Sequence, residues 1–216
     1  FKGLFDERMV VYDCFDKYTG YAVNTPEDSV QTTSRERELV AQADVVFAVS
    51  PQLASYLGQY HPKVFVVPNG VDAQYFSTKQ KGNEAIAELG GVPRPRIGYA
   101  GVISNKLDFE LLNYVAENNP SWSLIFVGPE DISPKLREDM RLLQALKTHD
   151  NVYFLGNKHP RDLPMYIGNF DVAIMPLLQD SRTEYSSPNK FYEYCACGKP
   201  IVSVPTPSIQ DHRELY

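Results

Sequence analysis

Cysteine is scarce in this sequence and poorly placed for cross-linking. Cys14, Cys195 and Cys197 are odd in number, and the last two stand two residues apart. That pattern excludes the disulfide framework of a small secreted domain and reads as small buried side chains. Histidine is thin too: His61, His149, His159 and His212 are far apart, without the close spacing of a zinc motif, so no metal is expected. Basic charge is in deficit. Lys and Arg number 21 against 27 Asp and Glu, a formal net charge of -6, which argues against nucleic acid as the partner because phosphate backbones are bound by clustered cations. A small anionic ligand stays open. Long apolar runs are missing as well: nothing approaches the roughly eighteen residues of a membrane span. Residues 1–6 lack the basic start and apolar stretch of a secretory signal, so a cytoplasmic protein is expected.

What is present is a chain of 216 residues, 43% hydrophobic, enough for two modest domains with real cores. Residues 1–76 form a first domain, 77–95 a linker rich in lysine, glycine and proline, and 96–216 a second domain. β-branched and aromatic runs of strand length occur at 9–13, 44–50 and 63–68 in the first part, and at 96–101, 123–128, 151–156, 171–177 and 200–204 in the second. Helical segments separate them, at 34–42, 51–59 and 161–169 among others, and Ser50 with Pro51 forms a helix start. Such alternation predicts parallel sheets covered by helices, an α/β architecture. Gly101, Gly128 and Gly156 close three of the strands, and Asn69–Gly70 suits positive backbone dihedrals. Ligands of open parallel sheets bind beyond the carboxyl ends of the strands, which places those glycine loops and 179–187 on one rim. The first part offers about three strands where a doubly wound domain has five or six, so a longer parent chain is expected.

The stretch SPNKFYEYCACGKPIV, Ser187 to Val202, carries the most specific signal. Ser187 can cap a helix, Pro188 suits its first position, and Gly198 suits a left-handed stop, giving a helix over about 188–197. Its amino end would face the ligand rim, where free N–H groups and the helix dipole favour a phosphate. Lys190 and Glu193 share one stripe. They fit either a nucleoside diphosphate, with the carboxylate on the ribose hydroxyls, or a plain surface ion pair of about 0.3 kcal/mol.

EYCACGKPIV resembles the signature helix and strand of GT-B glycosyltransferases of the family 4, or group 1, type. VVPNGVDAQYF (66–76), ADVVFAVSPQL (43–53), RIGYAGVI, WSLIFVGP, NVYFLG and DVAIMPL are similar to further segments of those enzymes, in the same order, over roughly residues 9–216. The resemblance implies two Rossmann-like doubly wound domains with a cleft between them. It also implies a metal-independent, commonly retaining transferase with a nucleotide-sugar donor and no cofactor. By similarity Glu193 holds the ribose, while Ser187, Pro188, Asn189 and Lys190 meet the diphosphate. The loops after Gly128 and Gly156 frame the base, and Gly101 to Lys106 passes beside the phosphates. The acceptor would be a glycan or a lipid-linked sugar, and the latter would bring peripheral contact at the inner face of the membrane.

Three departures stand out. The family's paired acidic motif places its first glutamate where Tyr185 stands, with Glu184 one residue early. Val102 replaces an arginine, and a histidine common near residues 12–21 is absent. Lys106 and Lys190 are the candidate cations for the leaving diphosphate. In YDCFDKYTGY, Asp16 is the candidate for handling the acceptor hydroxyl, against a turn role bonding its own backbone. Asp13, Tyr18 and Tyr21 stand nearby. Asn69, Gly70 and Asp72 read as a structural turn, and 161–169 as a packing helix. A nucleotide-sugar epimerase of the same fold and a catalytically silent nucleotide-sugar-binding module are the competing functions.

Overall fold

A computed structural model describes residues 3, 5–18, 26–79 and 86–210; Tyr21 and His212 lie outside the described residues. The chain begins β1 (Val11–Cys14), α1 (Pro26–Gln42), β2 (Val45–Ala48), α2 (Pro51–Leu57), β3 (Val64–Val66) and α3 (Ala73–Lys79). It continues β4 (Arg96–Ala100), β5 (Ile103–Ser104), α4 (Phe109–Asn118), β6 (Ser123–Val127), β7 (Glu130–Asp131), α5 (Arg137–Leu146) and β8 (Val152–Phe154). The last elements are α6 (Leu163–Gly168), β9 (Val172–Met175), α7 (Ser181–Tyr185), α8 (Asn189–Ala196), β10 (Ile201–Ser203) and α9 (Pro207–Gln210).

The chain divides into two compact units. One takes the described residues of Phe1–Asn69, Gln179–Pro188 and Pro205–Arg213, the other those of Gly70–Leu178 and Asn189–Val204. This division crosses the sequence-based boundaries: residues 70–76 pack with the second unit, and 179–188 with the first.

In the first unit β1, β2 and β3 form a parallel sheet in that order, with Val46 opposite Tyr12 and Val64. The strands form where β-branched and aromatic residues follow one another, and Ser50 ends the second run. Its hydroxyl accepts from the Leu53 N–H at 3.2 Å and Pro51 supplies a preset first helical residue. Val40, Val46, Leu53 and Leu57 are fully buried in this unit's core.

The second unit carries a five-stranded parallel sheet ordered β10-β9-β4-β6-β8. Every residue of β4 and β6 is buried, the mark of central strands covered on both faces. Leu112, Leu124, Phe126 and Leu146 form its core, with the Phe126 and Phe154 rings stacked at 4.9 Å.

Each strand run read from the sequence forms a strand. Several boundaries differ. α1 starts at Pro26 rather than near Ser34, with Glu27 and Asp28 in a first turn that suits the helix dipole. The 161–169 helix opens as a 3-10 turn, Pro160–Asp162, before α6. Asn69 and Gly70 have no positive φ and lie outside any helix or strand; the carboxylate of Asp72, two residues on, accepts from Tyr75 N at 2.9 Å and caps α3. That helix runs into the first residues of the proposed linker. The short β5–β7 pair was not expected. Cys14 and Cys197 are buried and Cys195 is half-buried, all as free thiols.

Candidate functional site

The carboxyl ends of β4, β6 and β8 meet in three glycine turns. Gly101 and Gly128 have φ of 150° and 149°, and Gly156 has 70°, values that an L side chain rarely adopts. Gly101 N donates to Val127 O at 2.7 Å and Gly128 N to Gly156 O at 2.9 Å, so the turns are laced edge to edge. A Cβ on Gly128 would fall on the Gly101 carbonyl, and a Cβ on Gly101 would fall on Cε and Nζ of Lys190. The missing side chain at Gly101 is therefore the space in which the Lys190 stem lies.

Lys190 comes from α8, which begins at Asn189, one residue later than the sequence suggests, and ends before Gly198, a left-handed stop with φ 62°. Tyr194, one turn from Lys190 and fully buried, fixes the helix to the sheet. β9 pairs with β4 only through Ile97 and Gly98, and the Tyr194 hydroxyl accepts the Ala100 N–H at 2.9 Å. The face so held presents Lys190 and Glu193 together. Burial holds the Lys190 ammonium below the usual lysine range; Glu193 draws it back up and Lys106 presses it further down. Burial likewise pushes the Glu193 carboxyl above the usual range, against the pull of Lys190. Lys190 Nζ also stands 5.3 Å from the centre of the Tyr99 ring, whose hydroxyl donates to Val102 O at 2.9 Å.

Lys106 sits in the loop leaving Gly101. Ile103–Ser104 of that loop pairs with Glu130–Asp131, and Leu178 N donates to Lys106 O at 2.8 Å, so its backbone is pinned at both ends. Gly101, Lys106, Gly128, Gly156, Asn189, Lys190 and Glu193 thus all belong to the second unit. In chemical terms they offer two cations, the first N–H groups of a helix, which have no intrahelical acceptor, and a carboxylate one turn on.

The remaining candidates belong to the first unit. Asp16 is buried, and its Oδ1 accepts from the Lys17 N–H at 2.9 Å, the backbone-bonding arrangement of a turn aspartate. Asp13 lies within β1 and is exposed. Tyr18 meets Phe15 edge to face at 5.6 Å. Ser187 is buried, with its carbonyl accepting from the Asn69 side chain, and Pro188 precedes α8. One group escaped sequence reasoning. Glu36 of α1, buried, accepts from Tyr56 at 3.0 Å and Tyr12 at 3.4 Å, and Lys17 Nζ lies 3.8 Å and 4.0 Å from the Tyr56 and Tyr185 ring centres. The Glu36 partners lie 20 and 24 residues away, so no local pattern marks it. Among the described residues, no group of three His, Cys, Asp or Glu side chains is placed to hold a metal.

Residues 94–214 match the sequence profile of the family described as glycosyl transferases group 1. The chain belongs to this family. TuaH of Bacillus subtilis (strain 168), named as a teichuronic acid biosynthesis glycosyltransferase, is 29% identical over 223 residues, covering 99% of this chain and 54% of that protein. Anabaena HepE, solved in complex with UDP-glucose, superposes with a TM-score of 0.68 at 20% identity, over 93% of this chain and 54% of that one. Sucrose-phosphate synthase from Thermosynechococcus elongatus gives 0.70 at 21% identity, over 93% and 51%. The fold is GT-B, as the resemblance implied. The chain spans about half the length of these three proteins.

Within this group 1 glycosyltransferase chain, Tyr185 stands where the resemblance implies the family's first acidic residue. Its side chain is already engaged: the ring meets Tyr56 at 6.1 Å and receives Lys17. Glu184, one residue earlier, is exposed and lines a cavity of about 270 Å³ with Gln179, Asp180, Thr183, Pro205 and Pro207.

Proposed function

We propose that the protein transfers a sugar from a nucleoside-diphosphate donor to a glycan or lipid-linked acceptor, with retention at the anomeric carbon. In the reaction the bond from the anomeric carbon to the diphosphate oxygen breaks and its electron pair leaves with the diphosphate. The acceptor oxygen bonds to the same carbon and gives up its proton. Charge builds on the leaving oxygen, and preorganised cations and N–H groups lower the barrier to its departure. Lys190 and Lys106 fill that role, with Ser187 to Asn189 at the helix start and Glu193 on the ribose. Asp16 is proposed for the acceptor proton on its place after β1. No cofactor or metal is required in this scheme.

The observation that carries the reading is Lys190, partly desolvated and lying in the space over Gly101 with Glu193 beside it. A surface ion pair would leave both groups in water. HepE, bound to UDP-glucose, and TuaH, named for teichuronic acid biosynthesis, support a nucleotide-sugar donor and a polysaccharide acceptor. No helix among the described residues is long and apolar enough to cross a membrane.

Thermal stabilisation of the intact protein by UDP, GDP, ADP and dTDP sugars tests the donor. A ligand at a hundred times its dissociation constant adds about 2.7 kcal/mol. Glu193→Ala is expected to remove most of that shift and to leave the unliganded melting point nearly unchanged; a large intrinsic loss would mark Glu193 as a structural ion-pair member instead. Release of free nucleotide only with acceptor present separates transfer from epimerisation, and binding without either marks a silent module.

A further inference from the structure

Residues 155–159, which follow β8 on the ligand rim, belong to no helix or strand. One hold on them comes from the segment that the sequence suggests as a linker. Arg96, buried at the start of β4, donates from Nη2 to Leu89 O at 2.6 Å and to Val92 O at 2.8 Å. That bolts the turn Ala87–Leu89 to the sheet. Glu88 in this turn then reaches across: its Oε1 accepts from Lys158 Nζ at 2.7 Å and its Oε2 from the Tyr166 hydroxyl at 2.7 Å. Lys158 stands two residues past Gly156, where a free ammonium could meet an anion. Its side chain is nevertheless only 16% exposed, with Nζ 5.4 Å from the centre of the Tyr166 ring. Farther along, the Tyr75 hydroxyl donates to Arg161 O at 2.7 Å. All of these residues belong to the second unit.

From this arrangement we infer that Glu88, Lys158 and Tyr166 form a clasp that positions the loop after Gly156, and so decides how sharply the donor site tells one base from another. The inference rests on the donor reading above, with that loop beside the base. A base carries no charge at neutral pH, so it is selected by the shape and edge groups of what surrounds it. A mobile loop adapts to several bases and gives up affinity when one of them orders it. A loop already held meets the fitting base without that loss and cannot re-form around the others. One carboxylate taking hydrogen bonds from an ammonium and a phenol on different segments fixes the loop to α6 more firmly than a lone exposed ion pair would. The three side chains are engaged with one another rather than offered to a ligand, so they are positioning residues and none is catalytic.

The test uses the intact protein and titration calorimetry with UDP, GDP, ADP and dTDP. Glu88→Ala, at a side chain 46% exposed, removes both bonds, and Lys158→Met keeps the stem without the ammonium. In each, the best-bound nucleotide should lose about two- to tenfold in affinity, the range for hydrogen bonds of ordinary net strength. The worst-bound should keep its wild-type value, so the spread between them narrows by that factor. The double variant should lose no more than the larger single loss, because both changes open one clasp. Equal losses for all four nucleotides signal general loosening and overturn the positioning role. So do unchanged affinities, wild-type binding that does not distinguish the bases, or a double loss equal to the product of the singles. A loss in Lys158→Met that Glu88→Ala does not share would make Lys158 a direct ligand contact and also overturn it. If wild type binds none of the four, the donor reading itself fails. If it binds one, loses it in Glu193→Ala and keeps its full spread in Glu88→Ala, only the clasp fails.

Discussion

Lys190 and Glu193 pull each other toward ionisation while burial pushes both the other way, and for each the burial effect is the larger. This gives the pair a definite pH signature. The Lys190 pKa is lower in the folded state than the free value of about 10.4, so between those values the unfolded chain binds more protons and the lysine's contribution rises with pH. Glu193 has a folded pKa above about 4.3, so its contribution is full below that value and is lost as pH climbs through the raised one. Other carboxylates with lowered values, such as Glu88 beside Lys158 and Tyr166, act in the opposite sense, so the comparison must be with a variant. Urea midpoints measured from about pH 4 to about pH 7 should show wild type losing stability relative to Glu193→Gln. A relative gain by wild type would mean that ion pairing outweighs burial at Glu193, and the desolvated-lysine argument would go with it.

One hydroxyl ties an entire element to the sheet. Tyr194 is fully buried, and its oxygen takes the Ala100 N–H at the point where β4 has run past β9. Tyr194→Phe keeps the ring and strands that N–H, at a cost of about 1–3 kcal/mol for a buried unsatisfied donor. Chemical denaturation should show that loss, and because α8 carries Lys190 and Glu193, UDP affinity measured on the folded variant should fall too. A stability loss with unchanged affinity would make the bond structural only. Sequence reasoning located this helix and its Lys190–Glu193 stripe because an i,i+3 pair is a local pattern, and it read Gly198 correctly from its place after the last turn. Tyr194 was invisible because its partner lies 94 residues away. The same limit hid Glu36, which gathers hydroxyls from β1 and α2, and the β5–β7 pair, whose strands are too short to show alternation. α1 was shortened because residues 26–33 carry little apolar periodicity, although proline and two acids mark the start.

At the scale of the molecule, eight runs of β-branched and aromatic residues were enough to give two parallel sheets, since such strands need no partner to be recognised. Their lateral order, with β4 between β9 and β6, depends on which crossover each helix makes and is not written locally. What the cores do add is a thermodynamic expectation. The cluster around Leu57 and that around Leu124 share no residue, and both leucines are fully buried. Leu57→Ala and Leu124→Ala should each cost about 2–5 kcal/mol, the transfer loss plus the cavity left behind. Mutations without shared partners add to within about 0.5 kcal/mol. A double variant whose loss equals the sum, by urea unfolding fitted with coincident fluorescence and circular dichroism, would establish two separate hydrophobic centres. A coupling energy well above that margin would mean that the chain has one core.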